Sequence, residues 1–435
     1  MAHQMSPLQP PAVTAVRPSQ EVPRRITVLA WRDLANPAAG GSELLVDRLS
    51  SGLADRGHEV TLLCGGPEPS VDRSYRVVSS GGTYDHFLRT PGAFGRSVGE
   101  TDLLVEVCNG VPYLAPLWHR GPVMCLVNHV HTDLWDQRLP GPVARAGRML
   151  EHRALTRTHR RSLMVAVSPS TAEAMARIGV PADRIHLVPN GVEAPGPLLP
   201  ESDEPLFTAV GRLVEYKRID LLLRLWERVR PITGGKLVIV GDGPERNRLE
   251  AQAGPDVIFA GRVDEAEKHR LLCRSWLLLH PSSLEGWGLV VTEAAIRGTP
   301  AVGFEIPGLR DSVVHGRTGL LARAESGFAA AWCALALSAE RRSAMGSAAR
   351  RRAEQFTWEH SVDRFQAAAA EAVALHSSGR AGSGHTMAGA GRTMAGAGLT
   401  TAAAGLTTAG LGRSTMAGSG RTLAEPPAPS PAERS

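Results

Sequence analysis

The sequence predicts an α/β protein built from two tandem Rossmann-like, doubly wound domains that face each other across a cleft. Three observations predict it. Short apolar, β-branched runs alternate with stretches of helical periodicity over residues 25–192. A proline-rich, acidic interruption at 193–205, EAPGPLLPESDEP, can continue neither pattern and reads as a linker. The same alternation then restarts at Leu206, in a chain whose 435 residues exceed the roughly 100–200 of one ordinary domain.

The first unit opens with the apolar run 26–31. A polar loop with Asn36-Pro37 and Gly40-Gly41 follows, and Leu44, Leu45, Leu49 and Leu53 then recur at helical spacing. Gly57 ends that helix and residues 60–64 supply a second strand, completing a βαβ unit. Runs at 103–107, 123–127, 164–167 and 186–188 extend a parallel sheet covered on both faces, so the first domain spans 25–192. In the second half, 206–210, 236–240, 257–260, 276–280 and 301–304 read as strands, and Ile219, Leu222, Leu223 and Trp226 share one helix face. The second doubly wound unit covers about 203–335, within a domain of 206–355, and residues 341–376 read as helical. Ligands of paired sheets like these bind between the carboxyl ends of their strands.

Residues 1–24 are rich in Pro, Ser and Gln and are expected to be a disordered leader; they lack the apolar region of a signal peptide. No segment offers about 18 uninterrupted apolar residues, so a cytoplasmic protein is expected, with room for peripheral contact at the inner face of the membrane. From His385 a loose seven-residue unit repeats as HTMAGAG, RTMAGAG, LTTAAAG and LTTAGLG. Glycine in every unit removes the seam that a coiled coil needs, so 377–435 is expected to be a low-complexity, disordered tail without a part in chemistry.

Apolar residues at 43% against charged residues at 21% exclude a wholly disordered chain. The net charge of +5 comes from scattered arginine without a basic run, which favours anionic small ligands or a membrane surface and argues against nucleic acid. Five cysteines lie far apart with no CxxC pair, the pattern of buried free thiols and not of a zinc site.

The richest stretch is SSLEGWGLVVTEAA, residues 282–295. Glu285 falls in a loop, Gly286 and Gly288 allow close backbone approach, and Leu289 opens a helix that carries Thr292 and Glu293. Unsatisfied N–H groups at such a helix start suit a phosphate against Gly288, Leu289 and Val290, with Glu285 and Glu293 placed for hydroxyl groups. Isolated, the two glutamates would read as surface residues. Arg212 and Lys217 change that reading, because both follow the first strand of the second domain, and together they suit a diphosphate. Gly40 and Gly41, after the first strand of the first domain, offer N–H groups from the opposite side, although a Gly-Gly loop alone is usually a turn.

EGWGLVVTEAA resembles the E-x7-E element of the family 4 retaining glycosyltransferases, and GRLVEYKR resembles their diphosphate clamp. LVPNGVE, VIVGDGPE, FAGRVDE and GLRDSVVHGRTGLL are similar to further signatures in the family's order, so the resemblance covers about 25–375. Trp287 departs from it, since the family more often has Phe there. The resemblance implies the two-domain GT-B fold, with residues 356–376 crossing back onto the first domain through Phe356, Trp358 and Phe365. It implies a sugar nucleotide donor, UDP- or GDP-linked, and a small-molecule, glycan or lipid acceptor. Glu285 would bind the donor sugar, Glu293 the ribose, and Arg212 with Lys217 the diphosphate, while Gly286, Trp287, Gly288 and Leu289 complete the donor site. A histidine near the anomeric centre is implied in CLVNHVHTDLW, with His129 preferred to His131.

The chain has no D-x-D triplet, and the cationic pair is expected to replace a metal at the leaving group, so no metal or other cofactor is expected. Trp31 to Asp33, Tyr84 to Arg89, Asn109 to Tyr113 and His131 to Trp135 line the candidate acceptor mouth. A sugar-nucleotide epimerase and a non-catalytic sugar-nucleotide binder stay open as alternatives. A dinucleotide dehydrogenase does not fit, because Val240-Gly241-Asp242-Gly243 lacks the full G-x-G-x-x-G.

Overall fold

The computed structural model describes residues 22–67, 72–132, 135 and 140–383. The tail repeats and nearly all of the expected leader lie outside these residues.

Seven parallel strands form the first sheet: β1 (Arg25–Ala30), β2 (Glu59–Cys64), β3 (Arg76–Ser79), β4 (Leu103–Cys108), β5 (Val123–Val127), β6 (Leu163–Ala166) and β7 (Ile185–Leu187). Their order is β3-β2-β1-β4-β5-β6-β7, with Ile26 beside Leu103 and Val28 beside Val105. All of β4, β5 and β6 is buried, as expected of strands covered by helices on both faces. The second sheet holds β8 (Leu206–Val210), β9 (Lys236–Val240), β10 (Val257–Gly261), β11 (Leu277–His280), β12 (Ala301–Phe304) and β13 (Gly319–Ala322), in the order β10-β9-β8-β11-β12-β13. In each sheet the strand order reverses beside the first strand, which places the two switch points at β1/β4 and β8/β11.

The structure adds β3 and β13, which the apolar runs did not suggest. Each has four residues, and β13, GLLA, lacks a β-branched residue. The expected single helical stretch at 341–376 is two helices, Ala339–Ala353 and Trp358–Ser383, so the last helix also runs beyond the expected boundary at 376. At the break, the Val192 N–H donates to the Phe356 carbonyl at 2.8 Å. Lys217 and Arg218 do not open a helix as expected: Glu215–Lys217 is a 3-10 turn, and Arg218, left-handed at φ 51°, precedes the helix Ile219–Thr233.

The last helix packs under the first sheet. Val362, Phe365, Ala368, Ala369 and Ala372 join the core of Leu45, Leu49, Leu53, Leu103 and Val165. Gly52 of the helix Gly41–Asp55 is required there, since a Cβ on it would lie 2.5 Å from Val362 Cγ2. Residues of the second half thus complete the core of the first domain.

A buried histidine makes this scaffold sensitive to acid. His86 is 0% exposed, with Nε2 3.0 Å from Tyr113 Oη and Nδ1 3.1 Å from the Gly82 carbonyl. Burial pushes its ring down to about 4, against the opposing hydrogen bonds to backbone carbonyls. Between that value and 6.5 the unfolded chain binds the extra proton, so stability rises with pH across the window and is lost as pH falls through it. The contribution is on the order of 3 kcal/mol at 1.36 kcal/mol per unit. Urea unfolding at pH 7 and pH 5 should show about 2 kcal/mol of that loss, the part between 6.5 and 5, and His86→Gln should flatten it. An unchanged pH slope in the variant would assign the loss to other groups.

Candidate active site

The loops that follow the strands at the two switch points meet across the cleft. In the second domain, Lys217 Nζ and His280 Nε2 both reach Glu285 Oε1, His280 at 2.7 Å. Burial acts to raise the Glu285 carboxyl, but the Lys217 ammonium and the His280 ring outweigh it and hold the group well below the usual carboxylate range. Glu285 is therefore an ionised acceptor at neutral pH. His280 was not among the expected site residues, although it is the last residue of β11 and directly precedes the loop that carries Glu285.

Arg212 donates from Nη2 to Tyr216 Oη at 3.0 Å and from Nη1 to the Ala38 carbonyl of the first domain at 3.4 Å. Arg262 likewise donates to the Pro37 carbonyl. A Cβ added to Gly40 would lie 3.5 Å from Arg212 Nε, and one on Gly41 would lie 3.1 Å from Leu289 Cδ1. Gly40, Gly41, Arg212 and Leu289 are thus brought together from opposite sides of the cleft, as the sequence suggested. The Gly40 loop is held from within its own domain. Glu43 accepts from the Gly40 N–H at 2.8 Å and pairs with Arg32 Nε at 3.2 Å, and Arg32 donates to the Ala38 carbonyl at 3.0 Å.

Gly286 and Gly288 serve packing more than ligand approach. A Cβ on Gly286 would lie 2.4 Å from the Asn128 carbonyl of the first domain. Gly288 sits at φ 86° as N-cap of the helix Leu289–Ile296, a left-handed position that favours glycine. Trp287, expected at the donor site, is 3% exposed and lies edge-on to Phe356 at 5.0 Å between ring centroids. It ties the donor loop to the crossing-back segment. Glu293 pairs with Lys268 Nζ at 3.0 Å. Burial lowers that ammonium, but Glu293 and Glu265 outweigh it and leave its pKa raised. Lys268 was also missed by sequence reasoning, because a lysine in an ordinary amphipathic helix carries no signal of its own.

On the first-domain side, Asn128 Nδ2 donates to Ser42 Oγ and Asn109 Oδ1, each at 2.9 Å, and Asn109 Nδ2 donates to Ser42 Oγ at 2.8 Å. This triangle ties the start of the helix Gly41–Asp55 to the loops after β4 and β5. The next residues carry the two histidine rings, His129 and His131, with centroids 4.0 Å apart. His131 is the buried one, bonded through Nδ1 to Glu151 Oε1 at 3.1 Å, and His129 is half-buried.

Residues 193–352 match the family model for group 1 glycosyl transferases, and residues 39–194 match that of glycosyltransferase family 4. The chain belongs to these glycosyltransferases. It is 28% identical over 338 residues to the 2-deoxystreptamine N-acetyl-D-glucosaminyltransferase of Streptomyces fradiae, covering 63% of this chain and 77% of that protein. The D-inositol 3-phosphate glycosyltransferase of Gordonia bronchialis is 29% identical over 46% of this chain and 50% of its own. Among solved structures, sucrose-phosphate synthase from Thermosynechococcus elongatus superposes with a TM-score of 0.67 at 22% identity, over 82% of this chain and 100% of that one. HepE of Anabaena, in complex with UDP and glucose, gives 0.62 at 18% identity over 79% and 98%. The architecture is the GT-B fold, and the protein is a transferase. The epimerase and the non-catalytic binder are not favoured by these likenesses.

Proposed function

We propose that this glycosyltransferase moves a sugar from a UDP- or GDP-linked donor to a nucleophile of a small-molecule, glycan or lipid acceptor, with retention of configuration and without a metal. The observation that carries this reading is the meeting of Arg212 with the Gly40-Gly41 loop beside the Lys217–Glu285–His280 cluster. Arg212 and Lys217 take the diphosphate, with N–H groups from Gly41 and the start of the helix Leu289–Ile296, while the Gly40 N–H, which the sequence also suggested for this role, is held by Glu43. Glu285, ionised and held by the Lys217 ammonium and the His280 ring, accepts from sugar hydroxyls, and Glu293 accepts from the ribose. HepE of like fold holds UDP and glucose, which supports a nucleotide-sugar donor here.

Retention through a covalent intermediate would need an available carboxylate on the acceptor side. Glu106 and Glu151 are 0% exposed and already hold several N–H donors, and Asp33, 5% exposed, pairs with Arg73 at 2.8 Å. Departure and attack on the same face of the sugar fits this wall better. Relatives named for 2-deoxystreptamine and D-inositol 3-phosphate favour a small polyhydroxylated ring as acceptor.

No described helix is long and apolar enough to cross a membrane. The exposed Arg145, Arg153, Arg157, Arg160 and Arg161, on and after the helix Gly141–Arg153, support a cytoplasmic protein that touches an anionic membrane face. A thermal-shift screen of UDP-, GDP- and other sugar nucleotides, with and without EDTA, tests the donor assignment. A donor at 100 times its Kd should add about 2.7 kcal/mol. A shift with no sugar nucleotide at all, or one abolished by EDTA, would refute the corresponding half of the proposal.

A further inference from the structure

We infer that Glu151 is a positioning residue for the acceptor side of the reaction: it holds His131 as the tautomer whose Nε2 accepts, which makes His131, and not His129, the ring that works there. The inference rests on the transferase reading above.

Glu151 is 0% exposed on the helix Gly141–Arg153, whose other charged residues are basic. A carboxylate is costly in such a place unless N–H groups surround it. Here the His131 backbone N–H lies 3.0 Å from Oε1, His131 Nδ1 lies 3.1 Å from Oε1, and Trp135 Nε1 lies 3.0 Å from Oε2. All three donors come from the segment after β5 at the carboxyl edge of the first sheet. Trp135 reaches its place because Gly147, one turn before Glu151, has no side chain; a Cβ there would lie 2.6 Å from the indole. Gly110, after β4, leaves similar room for the His131 ring, with a Cβ position 3.2 Å from Cγ.

A carboxylate oxygen only accepts, so the Nδ1 that faces it carries the proton, and the neutral ring is left with Nε2 as acceptor. The ring is fixed on one side by Glu151 and on the other by His129, 4.0 Å away between centroids. An apolar residue at 151 would pack the helix with no desolvation cost. The carboxylate instead sets the direction and the proton of one imidazole at the cleft, an arrangement that suits receiving a hydrogen bond from an acceptor hydroxyl. The signal is invisible in sequence because His131 and Glu151 are 20 residues apart and on different elements.

Long-range proton–nitrogen NMR on the full-length protein with 15N-labelled histidine reads the tautomer directly, with His131 assigned by the signal missing in His131→Ala. Wild type should show the Nδ1–H form for His131. Glu151→Gln should lose or mix it and lower kcat by about 10-fold or more, part of the roughly 100- to 10,000-fold that a positioned proton acceptor contributes. The thermal shift produced by the sugar nucleotide should stay as in wild type, since Glu151 bonds to none of the residues proposed to hold the donor. An Nε2–H form in the wild-type protein overturns the inference without any variant, and so does a Glu151→Gln protein with altered tautomer and unchanged kcat. If no sugar nucleotide shifts the wild-type protein, the donor reading fails by itself, and the tautomer still decides the placement of His131.

Discussion

Arg212→Ala is expected to lower kcat by roughly 100-fold or more, the scale of losing one preorganised electrostatic group, about 3 kcal/mol. Its two hydrogen-bond partners are a hydroxyl, Tyr216 Oη, and the Ala38 carbonyl, so no carboxylate among the described residues pairs with its positive charge. It is fully available as negative charge develops on the departing diphosphate, and an interaction stronger in the transition state than in the ground state acts on kcat. Lys217 differs, because it already holds Glu285. Lys217→Ala therefore removes a phosphate partner and leaves a buried carboxylate with His280 alone, so it should raise the donor KM as well as lower kcat. Steady-state kinetics on the donor found by the thermal screen, after circular dichroism confirms folding, separates the two patterns. If both variants keep near wild-type kcat, the clamp is wrong and the site assignment built on it falls.

Phe365→Ala should destabilise the protein by about 3–5 kcal/mol, the usual cost of emptying a fully buried aromatic site. Phe365 is 1% exposed and lies in the same core as Leu45, Leu103 and Val165, although the nearest of them in sequence, Val165, is 200 residues away. A loss of that size is a large share of the 5–15 kcal/mol that holds an ordinary domain. Guanidinium chloride unfolding of the variant measures it. A cost below about 1 kcal/mol would mean that the last helix decorates the first domain without completing its core.

The fold was legible because most of its strands are buried and so read as uninterrupted apolar runs, from residues 26–31 to 301–304. What escaped were β3, RVVS, with only two apolar residues, and β13, GLLA, without a β-branched one. At the site, Arg212, Lys217, Glu285 and the two glycine loops stood out through their position after strands, where ligands of such sheets bind. His280, Lys268 and Glu151 did not, because each acquires its meaning from a partner elsewhere in the chain: Glu285, Glu293 and His131. Trp287 was legible as part of a motif, but its actual neighbour, Phe356, lies 69 positions on, in a segment that returns from the far end of the chain.

That return means that the chain passes between the domains twice, once through 193–205 and once through 354–357. The two passages run side by side where Val192 and Thr357 pair as a parallel bridge. A double strap of this kind bends far more easily than it twists or stretches. Any opening of the cleft is thereby steered towards a single swing, like a door on two pins, with the Gly40 loop and Arg212 on its closing edge. A swing of that kind would return the Gly40 loop and Arg212 to the same register each time.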